Sequence, residues 1–193
     1  MIRALAAAAV VLACVGCSGS SEGSSSASEP TTSASTSKPT VAPASGPEIS
    51  GTGYSYHVPK GWDRPEKPVP GIDPDSLAGD LQDTDGFADN VNVIISPAGV
   101  LSPDKAEDAA EDELVTAGAE DTTVQDRVQV AGKESAHVTA QMSLNDNEYT
   151  IEQFYPSDSD HTFIVTFSFS TSVTPAERAE VTDAVLASWT WTD

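Results

Sequence analysis

The stretch Thr162–Ser170, T-F-I-V-T-F-S-F-S, is the most strand-like part of the chain. Large apolar side chains occupy alternate positions, at Phe163, Val165, Phe167 and Phe169. A period of two is typical of a β-strand with one face in the core. Because such a face must be covered by another layer, the stretch predicts the strongest core strand of the protein.

Other strand-like runs surround this stretch, at 122–131, 134–144 and 147–155, and the central run itself extends over 161–171. Turn-forming residues separate the runs at Asn145–Asn147 and Ser157–Asp160. Earlier in the chain, G-Y-S-Y-H-V (53–58) alternates and N-V-N-V-I-I-S (90–96) is nearly continuously apolar. Short turns between successive strands favour antiparallel pairing.

Two helices are predicted between and after the strands. Ser102-Pro103-Asp104 is typical of a helix start, and Gly118 of its end. Thr174 and Glu177 form a capping box with Pro175 at the first helical position. The inward positions are Ala106, Ala109, Ala110, Leu114 and Ala117 in the first helix, and Val181, Ala184, Val185 and Ser188 in the second. We therefore predict an α+β fold, an antiparallel sheet of about five to seven strands flanked by two main helices.

The first 47 residues differ in composition from the rest. Arg3 precedes an uncharged run from Ala4 to Val15, which is shorter than the roughly 20 residues of a transmembrane helix and typical of a signal peptide. After it, Ser, Thr, Ala, Pro and Gly dominate, a composition that cannot bury a core. We predict a signal peptide at 1–16, a disordered tether at 17–47 and a single domain at 48–193.

Both cysteines of the chain, Cys14 and Cys17, lie at the end of this apolar run. A Cys after Val-Gly resembles a bacterial lipobox, in which the thiol receives a diacylglyceryl group. Cys17 is favoured because it allows a longer apolar run and precedes Ser-Gly-Ser, and Cys14 remains the alternative. A further interpretation is an ordinary secretory signal peptide in which the two cysteines have no role. A Cys-free body has no disulfide and no thiolate metal site.

Three short motifs carry a family resemblance: Y-H-V-P-K-G-W (56–62), N-V-I-I-S (92–96) before an acidic helix, and a last helix that ends in Ser-Trp-Thr-Trp. They resemble the LpqN-type lipoproteins of actinobacteria, whose fold is similar to that of PsbP. The resemblance implies an exported protein on the outer face of the cytoplasmic membrane and a binding or accessory role without shared catalytic residues. The acidic segment 72–89 matches no feature of that family.

The formal net charge of −21 at pH 7 restricts the partners. A body this acidic is repelled by nucleic acid and by anionic headgroups, so membrane contact is expected through the lipid and tether alone. The charge also favours a monomer, and it predicts that any electrostatic partner is basic or a cation.

Acidic clusters and histidines do not form a catalytic or metal-binding motif. The segment 71–90 carries Asp73, Asp75, Asp80, Asp83, Asp85 and Asp89, and part of it imitates an EF-hand loop. However, Leu81 and Asn92 stand where calcium ligands belong, so a solvated loop is favoured over a calcium site. We interpret the acidic residues of the first helix as a water-facing surface rather than as the two catalytic carboxylates of a glycosidase. His57, His137 and His161 show no metal-ligand spacing. We predict no metal, no cofactor and no enzyme.

The candidate binding residues are Trp62, Trp191, Lys60 and Arg64. Lys60 and Arg64, with Lys67, form a basic cluster interleaved with prolines. It could seat an acidic partner, although a solvated loop is the simpler interpretation. Trp62 and Trp189 are predicted to pack in the core, whereas for Trp191 a core position and a surface position are predicted equally.

The sequence thus favours a non-catalytic binding module for a protein or envelope ligand. Two alternatives stay open. One is an envelope hydrolase that uses the 72–89 acids or a histidine. The other is a lipid or glycolipid carrier, which would require a large apolar cavity; the narrow alanine stripe of the first helix argues against such a cavity.

Overall fold

The computed structural model describes residues 41–67, 69, 73–144 and 147–192. The predicted signal peptide (1–16), Cys14, Cys17 and the tether up to residue 40 lie outside the described residues. Neither helix of the described part is long and apolar enough to span a membrane.

The described residues form eleven strands and two helices. The strands are β1 (Glu48–Gly51), β2 (Tyr54–His57), β3 (Trp62–Asp63), β4 (Ser76–Asp80), β5 (Asn90–Ile95), β6 (Glu120–Val124), β7 (Val128–Val130), β8 (Lys133–Leu144), β9 (Asn147–Tyr155), β10 (Phe163–Ser170) and β11 (Thr190–Trp191). The helices are α1 (Pro103–Thr116) and α2 (Pro175–Ala187).

All strand pairs are antiparallel. The main sheet has the order β3-β4-β5-β10-β9-β8-β6, with β7 also paired to β8, and a small sheet has the order β1-β2-β11. The predicted α+β class, with an antiparallel sheet and two helices, is confirmed. The strands outnumber the five to seven predicted, because β1, β3, β4 and β11 carry no clear alternating pattern and the run 122–131 forms two strands.

Strand β10 is buried along its whole length, which agrees with its prediction as the strongest core strand. Its four large apolar residues pack with α2 and the small sheet, in a cluster that includes Tyr54, Tyr56, Val185 and Trp189. The opposite face carries Ile164 in a second cluster with Ala106, Ala110 and Leu114 of α1. The sheet is therefore covered on both faces.

The predicted run 122–131 is two strands rather than one. Both pair with the long strand β8, and the segment between β6 and β7 carries Arg127. The Arg127 guanidinium binds Asp104 and Glu107 of α1, with Nε 2.6 Å from Glu107 Oε1, and lies 3.3 Å from Glu134 Oε2 on β8. This ion cluster fixes the helix to the sheet edge.

The helix caps follow the sequence. Thr174 and Glu177 make the reciprocal capping box at the start of α2. Pro103 begins α1, although Ser102 makes no side-chain capping bond there. Chain segments before residue 48 also belong to the packed body, because Ala44 N donates to Ala184 O of α2 and Gly46 N donates to Val58 O.

Candidate functional site

The three predicted cations Lys60, Arg64 and Lys67 lie on an exposed segment, residues 60–67, which we call the basic loop. Strand β3 begins inside this loop and ties it to β4. Arg64 N donates to Asp63 Oδ1 at 2.7 Å, and Arg64 Nη2 donates to Ser50 O at 2.5 Å. The Arg64 side chain is thus held against the small sheet.

The basic loop holds a large share of the cations that are not in ion pairs. Of nine Lys and Arg residues, Arg3 and Lys38 lie outside the described residues, which leaves seven. Arg127 and Arg178 are engaged by carboxylates. Three of the other five are in the basic loop, and the remaining two, Lys105 and Lys133, are exposed on α1 and β8.

An open pocket of about 280 Å³ lies between the basic loop and the start of β4, and we call it the β4 pocket. Its apolar lining comes from Pro65, Val69, Pro74 and Leu77, and its charged lining from Arg64, Glu66, Lys67, Asp73 and Asp75. Ser76 completes the lining. With two cations and three carboxylates, the pocket presents both signs of charge instead of a purely basic surface.

Hydrogen bonds from Thr52 hold Asp75 at the edge of this pocket. The two oxygens of Asp75 accept the backbone N–H and the hydroxyl of Thr52, at 2.8 and 2.7 Å. Burial acts to raise the pKa of Asp75, but the Thr52 bonds and the nearby Arg64 outweigh it and hold the pKa below its usual value. Asp75 is therefore an ionised, fixed acceptor.

A rigid aromatic layer supports the pocket from inside. The hydroxyls of Tyr54 and Tyr56 both bond Ser76 Oγ, at 2.7 and 3.2 Å. The ring of Trp189 stacks on both tyrosines, with centroid distances of 4.5 and 5.4 Å. Burial raises the pKa of Tyr54 strongly and that of Tyr56 to about 12, so both phenols stay protonated. They serve as structural hydrogen-bonding groups and not as bases.

The three tryptophans lie at different depths. Trp62 is 7% exposed and Trp189 is 3% exposed, so both belong to the core. Trp191 is partly buried, 5.6 Å from Phe163 and 5.7 Å from Trp189 between ring centroids. A contact of Trp62 or Trp191 with a partner stays a prediction, and the depth of Trp62 gives it a role in positioning the basic loop.

The histidines are not gathered at one site. The side chains of His57 and His161 are 42% and 45% exposed, as predicted for surface strand positions. His137 differs, since its side chain is only 18% exposed and its Nε2 lies 2.8 Å from Glu152 Oε2. The other Glu152 oxygen accepts Arg178 Nε of α2 at 2.9 Å.

Glu152 therefore joins β8, β9 and α2 through one carboxylate that is 8% exposed. Burial acts to raise its pKa, but the hydrogen bonds from His137 and Arg178 outweigh burial and hold the pKa below its usual value. Sequence reasoning missed this centre, because nothing in the spacing of these three residues indicates that they meet.

The acidic segment 72–89 is only partly the solvated loop that the sequence predicts. Residues Ser76–Asp80 form β4, and Asp73 and Asp75 line the β4 pocket. In the remaining loop, Asp80, Asp83 and Asp85 accept backbone N–H groups two residues ahead. No group of three or more metal-ligating side chains that could hold an ion occurs in the described part of the chain.

Asp89 is the one acid of this loop whose environment favours the neutral form. Its Oδ1 accepts Ser170 N at 2.7 Å. Burial raises the pKa of Asp89 to about 6, and the neighbouring Asp83 and Asp85 add to the shift against the opposing Ser170 bond. Asp89 therefore attaches the loop to the end of β10, although these surroundings disfavour its ionised carboxylate.

Comparison with known proteins supports the fold and leaves the family open. No protein-family model matches the sequence, and no curated protein matches it. Among solved structures, the cyanobacterial PsbP (CyanoP) of Synechocystis sp. PCC 6803 matches with a TM-score of 0.52 and 17% identity, over 75% of this chain and 93% of that chain. The predicted similarity to the PsbP fold is thereby confirmed.

Two other solved structures are similar at a lower level. LpqN of Mycobacterium tuberculosis, which is involved in cell envelope biogenesis, matches with a TM-score of 0.49 and 16% identity, over 72% of this chain and 83% of that chain. A protein of Bacteroides thetaiotaomicron matches with a TM-score of 0.49 and 13% identity, over 76% of this chain. The match spans 48% of the Bacteroides protein, about half its length.

Replacing Glu152 by Gln tests the buried carboxylate. The change leaves the Arg178 guanidinium without its charged partner, and breaking a buried pair in this way costs about 3–5 kcal/mol of unfolding free energy. Because the pKa of Glu152 is lowered in the fold, its contribution is complete above about pH 5 and fades as pH falls through the folded pKa. Urea unfolding at pH 7 and pH 3 measures both effects. The matched control Glu148→Gln, exposed on the same strand, should change stability by less than about 0.5 kcal/mol.

Replacing Asp89 by Asn tests the raised pKa. Folding favours the protonated form of Asp89, so the stability from protonation is complete below about pH 4 and is lost as pH rises through about 6. Asn keeps an oxygen for Ser170 N without this loss. At pH 8 we expect the free energy of unfolding of the variant to exceed that of the wild type by about 1–2 kcal/mol after solvent screening. At pH 4 we expect the two to be equally stable. Equal gains at both pH values, or a similar pH profile for exposed Asp108→Asn, would contradict this origin.

Proposed function

We propose that the chain is an exported, lipid-anchored accessory module that binds a protein or an envelope ligand through the β4 pocket and has no catalytic activity of its own. The observation that carries the proposal is the open pocket itself, whose lining combines apolar side chains with charges of both signs. Arg64 lines the pocket, whereas Lys60 lies on the same basic loop outside the pocket lining.

The composition of the pocket favours a macromolecular partner. Protein interfaces combine an apolar centre with a polar rim, and arginine is enriched in them. A volume of about 280 Å³ lies just below the range of small-molecule sites, about 300–1,000 Å³, and suits one or two side chains of a larger partner. Arg64 and Lys67 then select acidic groups, while Asp73 and Glu66 select basic ones.

The preorganisation of the pocket also favours binding. Asp75 is held by Thr52, and Ser76 is held by Tyr54 and Tyr56. A surface that is already ordered pays less conformational entropy on association. The stacking of Trp189 on the two tyrosines keeps the floor in place without a bound partner.

The chemistry of the acidic and phenolic groups supports a non-catalytic role. The tyrosines stay protonated, and the carboxylates of Asp80, Asp83 and Asp85 are occupied by backbone N–H groups of their own loop. A hydrolase would need a carboxylate or a base beside a nucleophile, whereas Asp89, the acid with the raised pKa, bonds the backbone N–H of Ser170. Ala106 and Ala110 bring α1 close to the sheet, which favours a filled core over the cavity of a lipid carrier.

Export and anchoring are part of the proposal and rest on the sequence. The apolar run before Cys17, the resemblance to LpqN-type lipoproteins and the Ser- and Thr-rich tether all support it. We assign the lipid to Cys17, with Cys14 as the alternative, and we place the domain at the outer face of the cytoplasmic membrane as a monomer. Two or more acyl chains are sufficient for stable attachment.

Labelling with radioactive palmitate tests the anchor. In an actinobacterial host, the wild-type chain should incorporate the label, and Cys17→Ser should lose it while Cys14→Ser keeps it. Loss in Cys14→Ser alone would transfer the assignment to Cys14. Incorporation by the double variant, or no incorporation by the wild type, would contradict lipidation.

Charge reversal tests the β4 pocket. The full chain with both cysteines replaced by serine is immobilised and exposed to a detergent-solubilised envelope fraction, and the retained species are quantified. Arg64→Glu with Lys67→Glu should weaken retention of any specific partner at least about tenfold at low salt, and Lys60→Glu alone should weaken it less.

The matched control is Lys105→Glu with Lys133→Glu, which changes the net charge by the same amount at exposed positions away from the pocket. This control should retain the partner as the wild type does. An equal loss of partner retention in both double variants would show a general charge effect. Unchanged retention in both would exclude the β4 pocket as the binding site. Thermal unfolding of each variant verifies that it is folded.

A further inference from the structure

Residues 50–53, where β1 turns into β2, hold one cation and one anion of the β4 pocket, and we call them the β1–β2 turn. Ser50 O accepts Arg64 Nη2 at 2.5 Å. Thr52 donates its backbone N–H and its hydroxyl to the two oxygens of Asp75, at 2.8 and 2.7 Å. Strand β1 packs against β4, so one short segment fixes two opposite charges at the edge of the main sheet.

Gly51 allows the turn to approach Asp75 closely. A Cβ at this position would overlap Asp75 Oδ2 and the hydroxyl oxygen of Tyr54. Glycine is the residue that permits such a close approach of the backbone to another group. The shape of the turn therefore fixes the Asp75 carboxylate in addition to the two hydrogen bonds from Thr52.

Arg64 and Asp75 lie near each other without pairing. Burial acts to raise the pKa of Asp75, and Arg64 is close enough to help the Thr52 bonds lower it. However, the ion pairs within the described part of the chain do not include these two side chains. Opposite charges that line one pocket attract each other. The bonds to Ser50 and Thr52 oppose this attraction, and they use one of the five guanidinium N–H groups and two of about four carboxylate acceptor sites.

We infer that Thr52 is a positioning residue of the β4 pocket, which holds Asp75 away from Arg64 so that the pocket receives neighbouring basic and acidic side chains of a partner protein. The inference rests on the proposed function and specifies the chemistry of its ligand. The basic side chain binds Asp75 and the acidic side chain binds Arg64. Because both groups are already held in place, binding orders few side chains of the pocket.

Side chains of a protein fit this pocket better than a zwitterionic lipid headgroup does. Four apolar residues line the pocket, Pro65, Val69, Pro74 and Leu77. Lysine and arginine carry their charge on aliphatic stems, and such stems pack on apolar surfaces. The ammonium and phosphate of an ethanolamine headgroup are joined by a short linker, which cannot cover the apolar lining.

The affinity for blocked dipeptides tests the inference on the full chain with both cysteines replaced by serine. The probe is acetyl-Lys-Glu-amide, and acetyl-Gln-Gln-amide is its uncharged match. Neither dipeptide has a net charge, so the overall field of the acidic protein does not favour one over the other. In an NMR titration that follows the Asp75 carboxyl, the Lys-Glu dipeptide should bind about five- to tenfold more tightly, as expected for two partly exposed ion pairs.

Variants of Thr52 test its positioning role. Thr52→Val removes the hydroxyl that binds Asp75, which lets the carboxylate pair with Arg64, so the preference for Lys-Glu should fall below about twofold. Thr52→Ser keeps the hydroxyl and should keep the preference. The matched control Thr123→Val removes a hydroxyl bond to Asp121 O at an exposed position of β6 and should behave as the wild type. An equal preference in Thr52→Val and the wild type, or no preference of the wild type at millimolar dipeptide, would overturn the inference.

The pairing that Thr52 prevents has its own readout. In the wild type, Arg64→Gln should raise the pKa of Asp75 only slightly, because the two groups are not paired. In the Thr52→Val background, the same change should raise the pKa by at least about half a unit more, because a paired cation lowers the pKa of a carboxyl. An equal rise in both backgrounds, measured by carbon-13 NMR titration, would contradict the role of Thr52.

A lipid arm distinguishes the source of the ligand. Vesicles of phosphatidylethanolamine should not displace the Lys-Glu dipeptide, and displacement would overturn the assignment to a protein partner.

The two proposals fail separately. If charge reversal at Arg64 and Lys67 abolishes retention of an envelope partner while Lys-Glu shows no preference, the pocket binds its partner by other chemistry. If Thr52 controls the preference for Lys-Glu while charge reversal leaves envelope retention unchanged, the positioning role of Thr52 stands and the proposed function is wrong.

Discussion

The structure depends on covering one strand on both faces. All eight residues of β10 are buried, and the two sides of the strand differ. The side with three phenylalanines needs a deep apolar layer, which α2 and the small sheet supply. The side of Ile164 needs only a thin layer, which the alanines of α1 supply by packing on the face that β10 shares with β8 and β9. Burial of this strand therefore explains why the chain forms two sheets and two helices.

The elements that sequence patterns revealed are those with strong local signals. The alternation in β10, the apolar run of β5 and the capping box at Thr174 each carry their structure in consecutive residues. The strands β3 and β11 do not, because two residues cannot show a period. Strand β1, which pairs with the adjacent β2, has Ile49 as its one large apolar residue and shows no period either. Strand β4 was hidden for a related reason, since its small residues Ser76, Ala78 and Gly79 stand among aspartates.

The candidate site was predictable to a similar extent. The basic cluster at Lys60, Arg64 and Lys67 is visible in the sequence, and the structure places it on one exposed loop. The pocket is not visible, because the pairing of β3 with β4 sets how Asp73–Leu77 lies against the loop. The carboxylates of Asp73 and Asp75 lie beside the cations in the structure. The surface that the sequence indicates as basic is therefore of mixed charge.

The first contacts of the described chain have a mechanical consequence. Ala44 bonds α2, and the Gly46 and Pro47 backbone bonds Val58 at the end of β2, before β1 starts. Tension applied at residue 41 would peel these bonds one after another, each contributing about 1 kcal/mol net, before it reached the aromatic layer behind the β4 pocket. The backbone bonds of segment 44–47 therefore lie between a load applied at residue 41 and the strands β1 and β2 that carry the aromatic layer.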